Sequence, residues 1–136
     1  MTKDEVIDLV KDTGFCFLAT IDEKQPRVRP MMPYLSEAGE MLIALLPRSR
    51  TITQIKANSR VEICFVDRKM WYCRITGEAQ ISSDVQKKKI VWDNVPMLRQ
   101  YFSGPTDTNF ILATITPTSV EAMTPQSKSP ELIKWN

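Results

Sequence analysis

Apolar residues recur along this chain in two rhythms, and Gly, Pro and polar clusters mark where one gives way to the other. Val6, Ile7, Leu9 and Val10 form a stripe of helical period over residues 2–12, with Thr2 and Glu5 at capping-box spacing and Gly14 as the stop. From Phe15 to Ile21 the run turns aromatic and branched, which predicts a strand. A polar turn over residues 22–25 leads to Pro26, which opens a second strand where Arg27 and Arg29 alternate with Val28. Pro30 and Pro33 make that strand an edge or an irregular one. After a turn containing Gly39, Met41–Leu46 predicts a third strand, and Ser49 caps a short helix over Arg50–Ala57 that Asn58 closes.

Val61–Val66 predicts a fourth strand, and Asp67–Lys69 turns the chain into a long strand over Met70–Ile81, with a bulge natural at Gly77. Ser83 or Asp84 caps a helix to about Trp92, Pro96–Phe102 reads as another short helix, and residues 103–107 as a loop. Phe110–Ile115 and Ser119–Met123 read as the last strands, divided by Pro117. The polar tail from Thr124 is either loose or pinned by Leu132, Ile133 and Trp135. Six or seven short strands with peripheral helices predict a mainly β fold, a small β-barrel in a single domain over residues 1–136, rather than alternating βαβ units.

Composition narrows the chemistry. Hydrophobic residues at 43% and charged residues at 25% fit an ordinary globular chain. A balance of 18 basic to 16 acidic side chains argues against nucleic acid or an anionic membrane as the main partner. No run approaches the ~18 apolar residues of a membrane span, and residues 1–5 lack a signal-peptide pattern. There is no histidine, which excludes Ser-His-Asp and Cys-His catalysis and histidine-ligated metals within the chain. Proton transfer near neutral pH must then use a perturbed carboxylate, Lys, Tyr or Cys, or a bound cofactor. Cys16, Cys64 and Cys73 are odd in number, lack CxxC spacing and sit in apolar runs, so they read as buried free thiols in a reducing cytoplasm. No metal site is expected.

Two segments suit an anion. Period-2 alternation puts Arg27 and Arg29 on one face of their strand. Arg48-Ser49-Arg50-Thr51 joins free backbone N–H groups at a helix start to hydroxyls and guanidinium groups, which is the make-up of a phosphate cradle. Other candidates have simpler readings. Met31-Met32 suits core or cofactor stacking better than a soft metal, Trp71-Tyr72 suits packing, and Lys87-Lys88-Lys89 suits the solvated face of a helix.

The run Phe17-Leu18-Ala19-Thr20-Ile21-Asp22 followed by Pro26-Arg27-Val28-Arg29-Pro30-Met31 resembles the opening of the pyridoxamine 5′-phosphate oxidase-like, flavin-binding split-barrel family. The resemblance continues through Ser49-Arg50-Thr51, Gln54 to Asn58, Val61 to Phe65 and Tyr72 to Ala79, with weaker support from Phe110 to Met123. It implies a split β-barrel homodimer with FMN at the subunit interface. Arg29 matches the arginine that reaches the FMN phosphate. Pro30, Met31 and Met32 match the stretch along the isoalloxazine ring, and Ser49 and Arg50 match the phosphate-binding helix start. Gln54 matches a glutamine of that helix, and Tyr72 and Cys73 match the strand presented by the partner subunit. The phosphate-binding lysine of the family falls at Thr51, and a threonine at the end of the third strand falls near Leu45 or Leu46, so one cation and one hydroxyl are missing. The C-terminal arginine segment of true pyridoxamine 5′-phosphate oxidases has no match, which points to the small general-stress-type and uncharacterised members. The implied function is an FMN-dependent oxidoreductase acting on a small molecule through no assigned acid or base. A flavin or deazaflavin storage module and a cofactor-free scaffold are the alternatives.

Overall fold

The computed structural model describes all 136 residues. Helix α1 (Lys3–Thr13) starts at a formed capping box between Thr2 and Glu5, and stops at Gly14, whose φ of 72° is the left-handed value that suits glycine. Then follow β1 (Cys16–Asp22), β2 (Gln25–Met31), β3 (Tyr34–Leu35), β4 (Met41–Leu45), α2 (Arg50–Ala57), β5 (Arg60–Val66), β6 (Tyr72–Ser82) and α3 (Val85–Asn94). A 3-10 helix (Pro96–Gln100), β7 (Ile111–Met123) and β8 (Glu131–Leu132) complete the chain.

The strands form one antiparallel sheet in the order β2-β1-β5-β6-β7-β4-β3, with β8 added to β7. Strands β2 and β3 are therefore the two edges of the sheet, yet only Met32 and Pro33 separate them in sequence. The sheet has to curl until its edges face each other, and the result is a split β-barrel. There are eight strands rather than six or seven, because β3 and β8 have two residues each and carry no periodicity.

Alternation decides which side chains fill the barrel. Cys16, Leu18 and Thr20 of β1 are buried, and so are Val61, Ile63 and Phe65 of β5 and Cys73, Ile75 and Ala79 of β6. Helix α1 adds Val6, Leu9 and Val10, and α2 adds Ile52 and Ile55. A second apolar cluster joins Leu42 of β4, Phe110 and Leu112 to Val91, Val95, Leu98 and Phe102 of the α3 region. Strand β4 is thus covered on both faces, which explains its unbroken run Met41-Leu42-Ile43-Ala44-Leu45.

Two expectations change. Pro117 does not divide the last strand: β7 runs through it, because Pro117 lies opposite Gly77 where the β6–β7 register shifts. A proline has no N–H to give a ladder, and the irregularity there relieves it of that duty. Gly77 permits the close approach, since a Cβ on it would come 2.7 Å from the Thr116 carbonyl oxygen. In the tail, Ile133 and Trp135 are buried, whereas Leu132 is 76% exposed and pins nothing. Ile133 N–H donates to the Val120 carbonyl at 2.8 Å, Trp135 Nε1 to the Gly39 carbonyl at 3.1 Å, and Lys3 Nζ to the Trp135 carbonyl.

Candidate functional site

Arg29 stands opposite Leu18 in the β1–β2 ladder, so its side chain starts on the barrel-facing side of an edge strand. Its Nη1 donates to the Leu18 carbonyl at 3.1 Å and to Thr20 Oγ1 at 2.8 Å, and its Nη2 donates to Gln54 Oε1 at 2.7 Å. The Thr20 hydroxyl, having accepted from Arg29, donates to the same Gln54 oxygen at 2.5 Å. These bonds close a ring that fixes the guanidinium plane. Three of the five guanidinium N–H groups are used, which leaves Nε–H and one Nη2 N–H for a ligand. No carboxylate pairs with Arg29, and its partial burial lowers its pKa without threatening its charge.

At the start of α2, Ser49 has extended backbone and its Oγ accepts the Thr51 N–H at 3.2 Å. The side chains of Arg48 and Arg50 on either side are exposed, and neither forms an ion pair. The ion pairs of the chain lie elsewhere, at Arg27–Asp22, Arg74–Glu121, Lys87–Glu40, Lys89–Asp93 and Met1–Glu131. Helix α2 therefore brings uncompensated positive charge together with the favourable end of its dipole. Thr51, by contrast, is 4% exposed, so its side chain is held in the packed face of α2 and only its backbone belongs to the cap.

Next to Ser49 opens a cavity of about 440 Å³, within the range of small-molecule sites. Three segments wall it: Pro30, Met31 and Met32 at the end of β2, Ala44, Leu45 and Leu46 at the end of β4, and residues of the 95–102 segment beyond α3. Phe15 completes the lining, and eleven of the thirteen lining residues are hydrophobic. The cavity lies between the end of edge strand β2 and the end of β4.

The structure thus brings Pro30, Met31, Met32 and Ser49 to one cavity, and Arg29 and Gln54 to one network. Arg50 follows Ser49 on the exposed side of α2. Tyr72 and Cys73, expected on the strand that a partner subunit presents, lie away from this chain's own cavity. Cys73 is fully buried in the barrel, and the inward register of its β6 position keeps the thiol from any surface ligand. Desolvation pushes its pKa up to about 12, and that of Cys16 likewise to about 12. For Cys73 the neighbouring Cys64 thiol acts in the same direction as burial. Tyr72 lies on the outer face of the sheet, where its hydroxyl donates to Met123 Sδ at 3.0 Å and the Arg74 guanidinium sits 5.9 Å from its ring. Sequence reasoning missed Thr20 and the 95–102 wall. A hydroxyl at an inward position of a core strand was the available signal for Thr20.

A barrel open between its edges, with the Ser49 end of α2 beside an apolar cavity, is a split β-barrel with a candidate ligand site. Residues 1–133 match the family described as pyridoxamine 5′-phosphate oxidase like, and the chain belongs to that family. General stress protein 26 of Bacillus subtilis (strain 168) is 25% identical over 138 residues, covering 94% of this chain and 92% of that protein. The crystal structure of General Stress Protein 26 from Bacillus anthracis str. Sterne shares the fold with a TM-score of 0.83 at 23% identity, covering 97% of each chain. An FAD-binding protein from Mesorhizobium loti shares it with a TM-score of 0.72 at 17% identity, covering 90% of this chain and 94% of that one.

Proposed function

We propose that the chain binds FMN as a homodimer and acts as an oxidoreductase on a small molecule. The observation that carries this reading is the double position of Ser49, which caps α2 between two unpaired arginines and also lines the apolar cavity. A ligand suited to both has a phosphate at one end and a flat apolar body at the other. The donors present fit a phosphate monoester: Nε–H and one Nη2 N–H of Arg29, the Arg50 guanidinium and the α2 N-terminus. Arg48 and Lys56 supply cations in place of the lysine absent at Thr51. Pro30, Met31 and Met32 border the ring, and the hydrophobic lining keeps water out.

When bound, the flavin supplies the electron or hydride transfer. The chain supplies binding, orientation and exclusion of water, and no carboxylate, lysine or cysteine lines the cavity to act as acid or base. Family membership and the FAD-binding relative support a flavin. The exposed outer face of β1 and β2 supports a second subunit: Phe17 is 40% exposed there and meets Phe15, just before β1, edge-to-face at 5.7 Å, and Val28 is 68% exposed. The free thiols suit the cytoplasm.

Titration of cofactor-stripped protein with FMN tests the reading, with saturation near one FMN per chain expected. Arg29→Ala and Arg50→Ala should each weaken FMN about 10- to 100-fold, from the roughly 1.5–3 kcal/mol of a charge-assisted bond, and leave riboflavin binding unchanged. Unchanged FMN affinity in both, with the fold intact, would remove the site. Tight deazaflavin binding without FMN binding would change the cofactor. Bound flavin that no donor reduces and no substrate reoxidises would make the protein a carrier.

A further inference from the structure

The wall formed by residues 95–102 has no part in holding phosphate, yet it is firmly supported. Val95, Leu98 and Phe102 anchor it in the second core cluster, where Phe102 stacks on Phe110 with centroids 5.0 Å apart. The following loop is tied back by Asp107, whose carboxylate accepts the N–H groups of Ser103 and Asn109, each at 2.9 Å. Those bonds hold the Asp107 pKa below its ordinary value. On this fixed segment Met97 and Tyr101 line the cavity while remaining 41% and 57% exposed. They are four residues apart, and their neighbours Leu98 and Phe102 face the core instead. Large apolar side chains held half-exposed at a cavity by a well-packed support form a contact surface.

The chemistry of that surface is selective. No charged side chain lines the cavity, and the hydroxyls of Ser49 and Tyr101 are its only side-chain oxygens. A charged group brought against this wall would lose water and gain no counter-charge. A flat uncharged molecule would lose little and would pack on the Tyr101 ring and the polarisable Met97 thioether. We infer that Met97 and Tyr101 form the substrate-selecting wall, admitting an uncharged, flat, apolar molecule beside the flavin ring and rejecting anionic analogues. The position of the ring rests on the FMN reading above.

The test compares 2-naphthol with 2-naphthoate, which share a bicyclic body and differ in charge at neutral pH, by calorimetric titration of the FMN-loaded protein. FMN affinity is measured first and separately for each variant. The expected result is binding of 2-naphthol at least tenfold tighter than 2-naphthoate. Met97→Asp and Tyr101→Asp should each weaken 2-naphthol at least tenfold while still loading with FMN and keeping the parent melting temperature, and Met97→Leu should retain it. Equal affinity for the two probes, tighter 2-naphthoate, or loss of FMN affinity in the aspartate variants overturns the assignment while FMN binding by the parent protein stands. Failure of the parent protein to bind FMN removes the FMN reading, and the second-ligand wall falls with it.

Discussion

Replacing Thr20 by valine removes one oxygen from the centre of the Arg29 network and almost nothing else. The side chain keeps its shape, and its buried position on β1 already suits a branched apolar residue. Two hydrogen bonds disappear: the 2.8 Å bond from Arg29 Nη1 and the 2.5 Å bond to Gln54 Oε1. The first involves a charged donor and is worth about 1.5–3 kcal/mol, and the second about 0.5–1.5 kcal/mol. Against this stands the dehydration of the hydroxyl, which valine avoids, and the two bonds that Arg29 keeps to the Leu18 carbonyl and Gln54. The expected net loss is about 2 kcal/mol, or roughly 6–8 °C in melting temperature at about 3–4 °C per kcal/mol for this chain length. Urea unfolding of Thr20→Val, Gln54→Leu and the double variant reads the coupling directly, and residues sharing one network should be non-additive by more than about 0.5 kcal/mol. A Thr20→Val loss under about 0.5 kcal/mol, together with additivity, would show that the ring of bonds does not hold Arg29.

Three further outcomes are expected. A thiol reagent at neutral pH should label Cys64 alone in the native protein and all three cysteines after unfolding, because Cys16 and Cys73 are buried; rapid native labelling of a second thiol would contradict this. Alkaline pH should destabilise the fold. Below the ordinary thiol value of 9.0 both states keep their protons, but between there and about 12 the unfolded chain releases those of Cys16 and Cys73 while the folded chain retains them. Stability then falls by up to about 2.7 kcal/mol per pH unit, and Cys16→Ala should flatten the profile measured by urea unfolding. Gly77→Ala should lower the urea midpoint by the equivalent of about 1–3 kcal/mol, because the new Cβ meets backbone at the β6–β7 bulge; an unchanged midpoint would mean that the ladder yields there freely.

The elements that could be read in advance have local causes. Thr2 with Glu5, Gly14, and Ser49 before Arg50 each fix a helix end within a few residues, and the inward alternation along β1 and β5 is visible in the side chains themselves. The misread elements have distant causes. Pro117 is tolerated because Gly77, far earlier in the chain, sits opposite it. Tyr34–Leu35 is a strand because Met41 and Leu42 lie alongside. Ile133 is buried and Leu132 exposed because only one of them faces the barrel, and two adjacent aliphatic residues give no hint of which. The same division runs through the site. The arginines and the serine were legible as an anion cradle, whereas the Thr20 hydroxyl acquires its role from Gln54 on another element. The cavity wall at Met97 and Tyr101 depends on which neighbours sink into the second core, a matter of tertiary packing.

The two-residue passage from β2 to β3 has a consequence for the aperture. Met31 and Tyr34 belong to opposite margins of one sheet, and three Cα–Cα steps join them. Each step spans about 3.8 Å, so at this point the margins stand no more than about 11 Å apart. Pro33 removes one torsional freedom from that tether. Side chains can line the opening and breathe within it, but the backbone works as a calliper whose setting is counted in residues. Lengthening the tether by one residue would raise its limit by about one Cα step. The clearance offered to a guest molecule is thus written into the spacing of the chain at Met32 and Pro33, apart from the polarity of what surrounds it.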